Sequence, residues 1–161
     1  MRNWLFLLIF LLPITTQSGD DVDYFTRVSL PDYSKLYDPE RDPFEDGNNA
    51  LKNAKETQRR VLIKVGGDWC TWCNVLEKFI NTTPSVHKQL HENFVVLKVN
   101  FSDENNNKLF LDDMPELIGY PQVFITENDG SIIYAGNIVQ LLENGKYSRE
   151  RFNNFLAEWS L

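Results

Sequence analysis

The chain contains only two cysteines among its 161 residues, which excludes a framework of several structural disulfides. Basic residues are also scarce, with 16 Lys and Arg against 23 Asp and Glu, and the net charge is -7. A nucleic-acid-binding domain needs a basic surface, and anionic lipid likewise attracts basic segments. Neither is therefore an expected partner. The sequence shows no internal repeat and no low-complexity tract.

Long apolar runs are missing as well. No run in the sequence reaches the length of about 20 apolar residues that a membrane-spanning helix needs. The unbroken apolar stretch 4–12 follows Arg2 and precedes a small, polar segment. This is the pattern of a signal peptide. We therefore expect residues 1–18 to be a signal peptide and the protein to be exported, most simply to the periplasm or along a secretory route. The cleavage point stays open, as does an uncleaved anchor.

The rest of the chain has the composition of one folded domain, with 42% hydrophobic and 13% aromatic residues over the whole sequence. Residues 19–45 are rich in Asp, Pro and Tyr and lack a sustained period. We predict an irregular N-terminal arm there, followed by a folded domain over residues 46–161. The side chains expected to pack the arm are Tyr33, Leu36, Tyr37 and Phe44.

Helical and strand patterns alternate after the arm. The strands are predicted at 61–65, 94–101, 122–126 and 131–135, and the helices at 46–59, 71–80, 84–92, 102–111 and after Ser148. The expected N-terminal cap of the first helix is Asp46 or Asn48. The expected caps of the fourth and last helices are residues 102–104 and Ser148. Segment 138–147 is expected to be a loop with a short helical piece. This order predicts an α/β fold with a central mixed sheet of four to five strands flanked by helices. Strands separated by helices are expected to pair in parallel, and the turn at 128–130 to add an antiparallel edge.

The two cysteines stand two residues apart, at the point where the strand 61–65 gives way to a helix. The free amide groups at a helix N-terminus stabilise the thiolate of Cys70, and Cys73 one turn later can close a disulfide. Such a short loop removes little entropy from the unfolded chain, so the bond stabilises the fold very little. The pair therefore indicates dithiol–disulfide exchange, with both sulfurs expected at an exposed helix tip.

The order of elements resembles the thioredoxin fold, whose first long helix begins with a Cys-x-x-Cys pair. Val61-Leu62-Ile63 before Asp68-Trp69-Cys70 is similar to the apolar strand that leads into Trp-Cys in that family. Gly119-Tyr120-Pro121 before a strand is similar to the family's cis-proline loop. The stretch from Asp68 to Phe79, followed by 84–86, is similar to exported thioredoxin-like proteins and to the C-terminal domain of the thiol:disulfide interchange protein.

The resemblance implies the roles of the site residues. Cys70 is then the attacking thiol and Cys73 the thiol that resolves the mixed disulfide. The backbone of Tyr120, before Pro121, holds the substrate chain as an extra strand. Further roles fall to Trp69, which shields the site, to Trp72 as an exposed aromatic, and to Glu77 as an acidic group near the cysteines.

Two departures from the family pattern affect the chemistry. Lys64 stands where thioredoxins carry a buried Asp that assists proton transfer, so protons must pass through water, Glu77 or Lys64 itself. Thr71-Trp72 replaces Gly-Pro between the cysteines and includes no basic residue to stabilise a thiolate. Nearby Asp68 and Glu77 are expected to raise the thiol pKa. These features favour a disulfide reductase over an oxidant.

Two other functions fit parts of the sequence. Cys70 and Cys73 with His87 and His91 fall within the spacing window of a Cys2His2 zinc site. However, the cysteines lead straight into a helix and Pro84 interrupts the intervening segment, so we expect both histidines to be solvent-facing or capping residues. The second alternative is a peptide-binding, chaperone-like module with weak redox activity, in which Trp72 and Tyr120 form the docking patch.

The partners follow from the expected reaction. They are substrate proteins with disulfides or thiols and a membrane-bound electron donor, and the protein itself is expected to be a monomer. The redox-active disulfide Cys70–Cys73 takes the place of a metal or an organic cofactor. The sequence leaves open the substrate, the donor and the direction of the reaction in the cell.

Overall fold

The computed structural model describes residues 29–161, so the predicted signal peptide and residues 19–28 of the predicted arm lie outside the described residues. Five helices and a four-stranded sheet make up most of this region, together with two short 3-10 turns, at Asp32–Ser34 and Val139–Leu141. The helices are α1 (Pro43–Glu56), α2 (Thr71–Thr82), α3 (Pro84–Asn93), α4 (Lys108–Leu111) and α5 (Arg149–Trp159). The strands are β1 (Arg60–Gly66), β2 (Phe94–Asn100), β3 (Gln122–Thr126), β4 (Ile132–Asn137) and the short hairpin strands β5 (Leu142–Glu143) and β6 (Lys146–Tyr147).

The central sheet has the strand order β2-β1-β3-β4. β1 and β2 are parallel, whereas β3 runs antiparallel to both β1 and β4. The mixed sheet is confirmed, but the prediction that β3 would pair in parallel is wrong. The segment between β2 and β3 contains only the four-residue helix α4 and does not cross back along the sheet, because Gln122 at the start of β3 pairs with Val65 near the end of β1. The chain therefore enters β3 at the end of the sheet where β2 finished.

Two apolar layers enclose the sheet because successive strand residues point to opposite faces. On one face, Leu62 and Val96 pack under α2, α3 and α5. On the other face, Ile63 and Leu97 pack under α1 and the Tyr33 ring. The predicted stripe of α5 lies on the first face, where Phe152, Phe155 and Leu156 are buried and Trp159 packs against the core. Within residues 29–161, no helix is long and apolar enough to span a membrane.

The arm is tied to the sheet by its tyrosines. Tyr33 and Tyr37 are both buried, as predicted, whereas the predicted anchor Leu36 is 69% exposed because it points away from the sheet. Phe44 is half exposed and meets the Phe110 ring edge-on at 5.1 Å. Nζ of Lys98 also holds the arm, since it donates to the Lys35 carbonyl at 2.6 Å.

Several predicted boundaries need correction. α1 starts earlier than expected, because the Asp42 carboxylate caps it by accepting from the Phe44 N–H and Pro43 occupies the first turn. Asp46, one of the predicted caps, instead binds Arg41. The predicted helix 102–111 shrinks to α4, since Ser102 accepts the Asn105 N–H within a loop. Segment 138–147 forms the second 3-10 turn and the β5–β6 hairpin, so its predicted loop contains two extra strands.

Candidate redox site

The cysteine pair forms the first turn of α2. Cys70 is the N-cap residue, with φ -84° and ψ 103°, and its Sγ accepts a hydrogen bond from the Cys73 N–H at 3.1 Å. The sulfur therefore occupies the place of the side-chain oxygen that usually satisfies a free amide group at a helix start. The same amide and the positive end of the helix favour negative charge on that sulfur.

The two sulfurs are joined in a disulfide, with an Sγ–Sγ distance of 2.16 Å and a Cα–Cα distance of 5.2 Å. Cys70 is only 4% exposed and Cys73 is completely buried. The prediction of exposed sulfurs is therefore wrong for this oxidised state. The rings of Tyr37 and Tyr120 pack around the pair and cover it.

Two glycines, at the end of β1 and directly after it, leave room for close contacts beside the site. A Cβ atom on Gly66 would lie 2.5 Å from the Cys73 sulfur and 3.3 Å from the Tyr37 ring. A Cβ atom on Gly67 would lie 2.9 Å from the Phe101 carbonyl oxygen. The signal for these contacts in the sequence is the Gly66-Gly67 pair itself, since glycine at the end of a buried strand marks a close approach.

We expect Gly66→Ala to lower the free energy of unfolding of the oxidised protein by about 1–3 kcal/mol, because the new methyl group overpacks the disulfide. Denaturant unfolding measures this change. Gly47→Ala is the matched control, since its Cβ would lie 3.6 Å from the Phe110 ring in ordinary contact. As a glycine within α1, it should instead gain about 0.5–1 kcal/mol on replacement by alanine. A Gly66→Ala protein as stable as the wild type contradicts the packing argument.

The predicted aromatic residues flank the pair on two sides. Trp69 is 55% exposed, its ring meets Tyr120 edge-on at 5.3 Å, and its Nε1 donates to the Phe101 carbonyl at 2.6 Å. Trp72 is 45% exposed and meets the Tyr147 ring edge-on at 6.4 Å. Both tryptophans thus present apolar surface to solvent next to the disulfide.

The loop before β3 brings Tyr120 to the cysteines. The Tyr120–Pro121 peptide bond is cis, and Pro121 is buried at the start of β3. The Tyr120 ring stacks on Phe101 at 5.0 Å. The structure thus places the loop that the resemblance assigned to substrate binding beside the cysteine pair.

An open cleft of about 660 Å³ lies beside Trp69. Its lining includes Tyr37 and Phe101 and three acidic residues, which are Asp68, Asp103 and Glu104. A smaller cavity of about 250 Å³ lies under α1, and neither lining contains a cysteine. The larger cleft adjoins the site through Tyr37, which packs against the cysteines, and through Trp69, the neighbour of Cys70 in the chain.

Glu77 lies between two buried lysines behind the cysteine pair. Lys64 on β1 and Lys98 on β2 are direct neighbours in the parallel register. Glu77 on α2 binds Lys64 through Oε1 and Lys98 through Oε2, the latter at 2.8 Å. The two lysine side chains are 4% and 7% exposed. The carboxylate thus compensates two like charges that repel each other across the strands.

The charge state of this cluster differs from the sequence-based expectation. Burial alone would raise the pKa of Glu77, but the charges and hydrogen bonds of Lys64 and Lys98 outweigh it and lower that pKa to about 2. Burial and the Lys64 charge lower the pKa of Lys98 to about 8. Glu77 is therefore ionised at neutral pH and paired with both lysines, so it is not a free negative charge that disfavours a thiolate.

The two histidines are buried in α3, contrary to the prediction that they face solvent or cap the helix. His87 and His91 are 6% and 9% exposed, with ring centroids 4.5 Å apart. They are buried because they follow Val86 and Leu90, which set the core-facing side of α3. Burial and the nearby positive charges lower the pKa of His91 to about 3. Among residues 29–161, no three His, Cys, Asp or Glu side chains are grouped to hold a metal ion.

Known proteins share this architecture. The fold is similar to that of a disulphide isomerase from Xylella fastidiosa Temecula1, with a TM-score of 0.65 and 25% identity over 81% of this chain and 97% of that one. It is also similar to the oxidised C-terminal domain of DsbD from Neisseria meningitidis, with a TM-score of 0.55 and 20% identity over 73% of this chain and 96% of that domain. The fold and the cysteine pair are those of a thiol–disulfide oxidoreductase.

Sequence comparison gives a second line of similarity. A stretch of 66 residues is 32% identical to the uncharacterized protein B0495.5 of Caenorhabditis elegans, covering 40% of this chain and only 9% of that protein. The profile of the thioredoxin-like family matches residues 42–127, more than half of the chain. Because this match includes both the cysteine pair and the cis-proline loop, the chain belongs to the thioredoxin-like family.

Proposed function

We propose that the protein is an exported thiol–disulfide oxidoreductase that reduces disulfides in other proteins. The observation that carries the proposal is the position of Cys70 at the N-cap of α2, bonded to Cys73 one turn later. A sulfur at this position accepts a backbone N–H, so its thiolate is stabilised and its leaving ability is improved.

The reaction proceeds in two exchanges. The Cys70 thiolate attacks one sulfur of a substrate disulfide, which forms a mixed disulfide and releases the other substrate sulfur as a thiolate. Cys73 then loses its proton and attacks the Cys70 sulfur, which releases the second substrate sulfur. Two electrons pass from the dithiol to the substrate, and the Cys70–Cys73 disulfide is restored.

The surroundings of the pair suit a protein substrate. Trp69 and Trp72 offer exposed apolar surface on two sides, and Tyr120 lies beside the cysteines. As in the family that the chain resembles, the Tyr120 backbone before Pro121 holds the substrate as an added strand. The acidic lining of the neighbouring cleft favours substrate segments that carry basic side chains.

Export and direction are supported by the sequence. The apolar stretch 4–12 after Arg2 is typical of a signal peptide, and no basic residue stands between the cysteines to favour an oxidant. In an oxidising compartment the reduced form must be regenerated, which calls for a membrane-bound dithiol donor. Within the exchange with substrate, the two cysteines supply the electrons and no metal or organic cofactor is needed.

The reduction potential tests the proposed direction. Equilibrating the protein with glutathione mixtures and alkylating the free thiols measures the oxidised fraction at each ratio. We expect a reduction potential of about -270 mV, as in thioredoxin. A potential of about -120 mV marks a strong oxidant and contradicts a reductase. N-terminal sequencing of the protein recovered outside the cytoplasm tests export, and an intact Met1 on cytoplasmic protein contradicts it.

A peptide-binding module is the second candidate, since the exposed tryptophans surround sulfurs that are almost completely buried. The oxidoreductase and the binding module differ in whether their main activity depends on the Cys70 thiol. A binding module should keep its full affinity for peptides after Cys70→Ser, and its disulfide reduction should be weak before the substitution is made.

A further inference from the structure

Tyr37 reaches the cysteine pair from the N-terminal arm. A Cβ atom on Gly66 would lie 2.5 Å from the Cys73 sulfur and 3.4 Å from the Tyr37 hydroxyl oxygen, so both atoms border the same small space. The ring packs against both cysteines. Tyr37 is only 6% exposed, and its hydroxyl has no hydrogen-bond partner within residues 29–161. A buried hydroxyl without a partner costs free energy, so this group needs an explanation.

Among residues 29–161, no atom is placed to accept from the hydroxyl in the oxidised state, although the Cys73 sulfur is nearby. A sulfur in a disulfide is a weak acceptor, whereas a thiolate is a strong, charged one. Reduction therefore creates an acceptor at Cys73, which borders the same space beside Gly66 as the Tyr37 hydroxyl. The same region lacks the buried Asp that thioredoxins carry, since Lys64 stands at that position and binds Glu77.

We propose that Tyr37 is a positioning residue for the resolving thiol, donating a hydrogen bond from its hydroxyl to the Cys73 sulfur once the disulfide opens. This proposal rests on the proposed function and assigns the arm a part in the exchange. In the mixed disulfide, Cys73 releases its proton to solvent, and the hydrogen bond stabilises the remaining thiolate. The thiolate attacks the Cys70 sulfur, the bond from Cys70 to the substrate breaks, and the substrate leaves as a thiolate.

The groups around Tyr37 keep its hydroxyl protonated and able to donate. Burial raises the pKa of Tyr37 well above 10, and the charges of Glu77 and Asp68 and the nearby Tyr147 add to this. Nζ of Lys98 on β2 lies 5.5 Å from the centre of the ring. These neighbours come from β2, α2, the loop before α2 and β6.

Tyr37→Phe tests the proposal, and Tyr33→Phe is its matched control. Tyr33 is equally buried in the same arm, but its hydroxyl accepts from Asn53 and lies in the other core layer. The reduced protein is mixed with an aromatic disulfide that releases a coloured thiol. The first release reports attack by Cys70, and the second reports resolution by Cys73.

For Tyr37→Phe we expect the second release to be about tenfold slower below neutral pH, with its pH profile moved up by about one unit. The rate of the first release should stay within about twofold of the wild-type rate. Tyr33→Phe should leave the rates of both releases unchanged. The oxidised Tyr37→Phe protein should be at least as stable as the wild type, because a hydroxyl without a partner is removed. An unchanged second release, or an equal effect of Tyr33→Phe, overturns the proposal.

A measurement without turnover separates this proposal from the proposed function. In a Cys70→Ser protein, the ultraviolet absorbance of the Cys73 thiolate gives its titration directly. Adding Tyr37→Phe should move that titration to higher pH by about one unit. A shift supports the hydrogen bond even if the wild type reduces no disulfide, and the absence of a shift overturns it even if the wild type is active.

Discussion

Replacing Cys70 with serine is expected to reduce the rate of protein disulfide reduction by at least about a thousandfold. A serine hydroxyl stays protonated at neutral pH and cannot form the mixed disulfide, so the first exchange stops. Serine is a favoured N-cap residue, and its oxygen can accept the Cys73 N–H that the sulfur now accepts. The fold should therefore survive, which makes the loss chemical. Turnover of a reducible protein disulfide measures the change.

Cys73→Ser is the partner variant because it separates attack from resolution. Cys70 can still form the mixed disulfide in this variant, but no second thiol releases the substrate. We expect a covalent adduct that a reducing agent dissociates, visible as a mass increase on a gel without reductant. An active Cys70→Ser protein contradicts the assignment of the attacking thiol. Failure of Cys73→Ser to trap substrate contradicts the resolving role.

Local patterns were sufficient to predict the elements that position the site. The run 61–65 is continuous in apolar residues apart from Lys64, and the apolar positions after Cys73 recur with helical spacing. Each signal acts within a few residues, since helix and strand periods differ. The strand-to-helix junction and the position of the cysteines at the helix start were predicted correctly for this reason.

The features that the sequence analysis missed depend on residues far apart in the chain. Tyr37 lies in a segment without a period, so nothing local indicated that it packs against Cys73. The exposed sulfur predicted for Cys70 was wrong because the arm and the loop before β3 supply its cover. The burial of His87 and His91 likewise depends on what packs against α3, which periodicity alone does not reveal.

A signal for the Lys64–Glu77–Lys98 cluster was present but was not used. Segments 61–65 and 95–99 each carry one lysine at the fourth of five positions, within otherwise apolar strands. In a parallel pair with matching register, those lysines become neighbours, as Lys64 and Lys98 do. Two adjacent buried cations require an anion, and α2 offers Glu77 on the side that faces the sheet.

Glu77→Gln is expected to lower the free energy of unfolding by about 3 kcal/mol at neutral pH, because removing one partner leaves uncompensated buried charge. The pKa of Glu77, lowered from 4.5 to about 2, gives a contribution of similar size. Lys98 limits the loss, since its pKa of about 8 lets it release its proton when the carboxylate is gone. Denaturant unfolding of both oxidised proteins measures the difference.

The pH dependence of that difference identifies its cause. The folded-state pKa of Glu77 lies below the unfolded value of 4.5, so its contribution is complete above about pH 4.5 and disappears as the pH falls through about 2. The stability gap between the wild type and Glu77→Gln should therefore close in that window. Lys64→Met, Glu77→Leu and Lys98→Met combined should be clearly more stable than Glu77→Gln, since an apolar trio needs no charge compensation and the hydrogen bond that it loses, from Lys98 to the Lys35 carbonyl, is exposed. If the triple variant is as unstable as Glu77→Gln, packing of the glutamate stem rather than charge pairing holds α2 to the sheet.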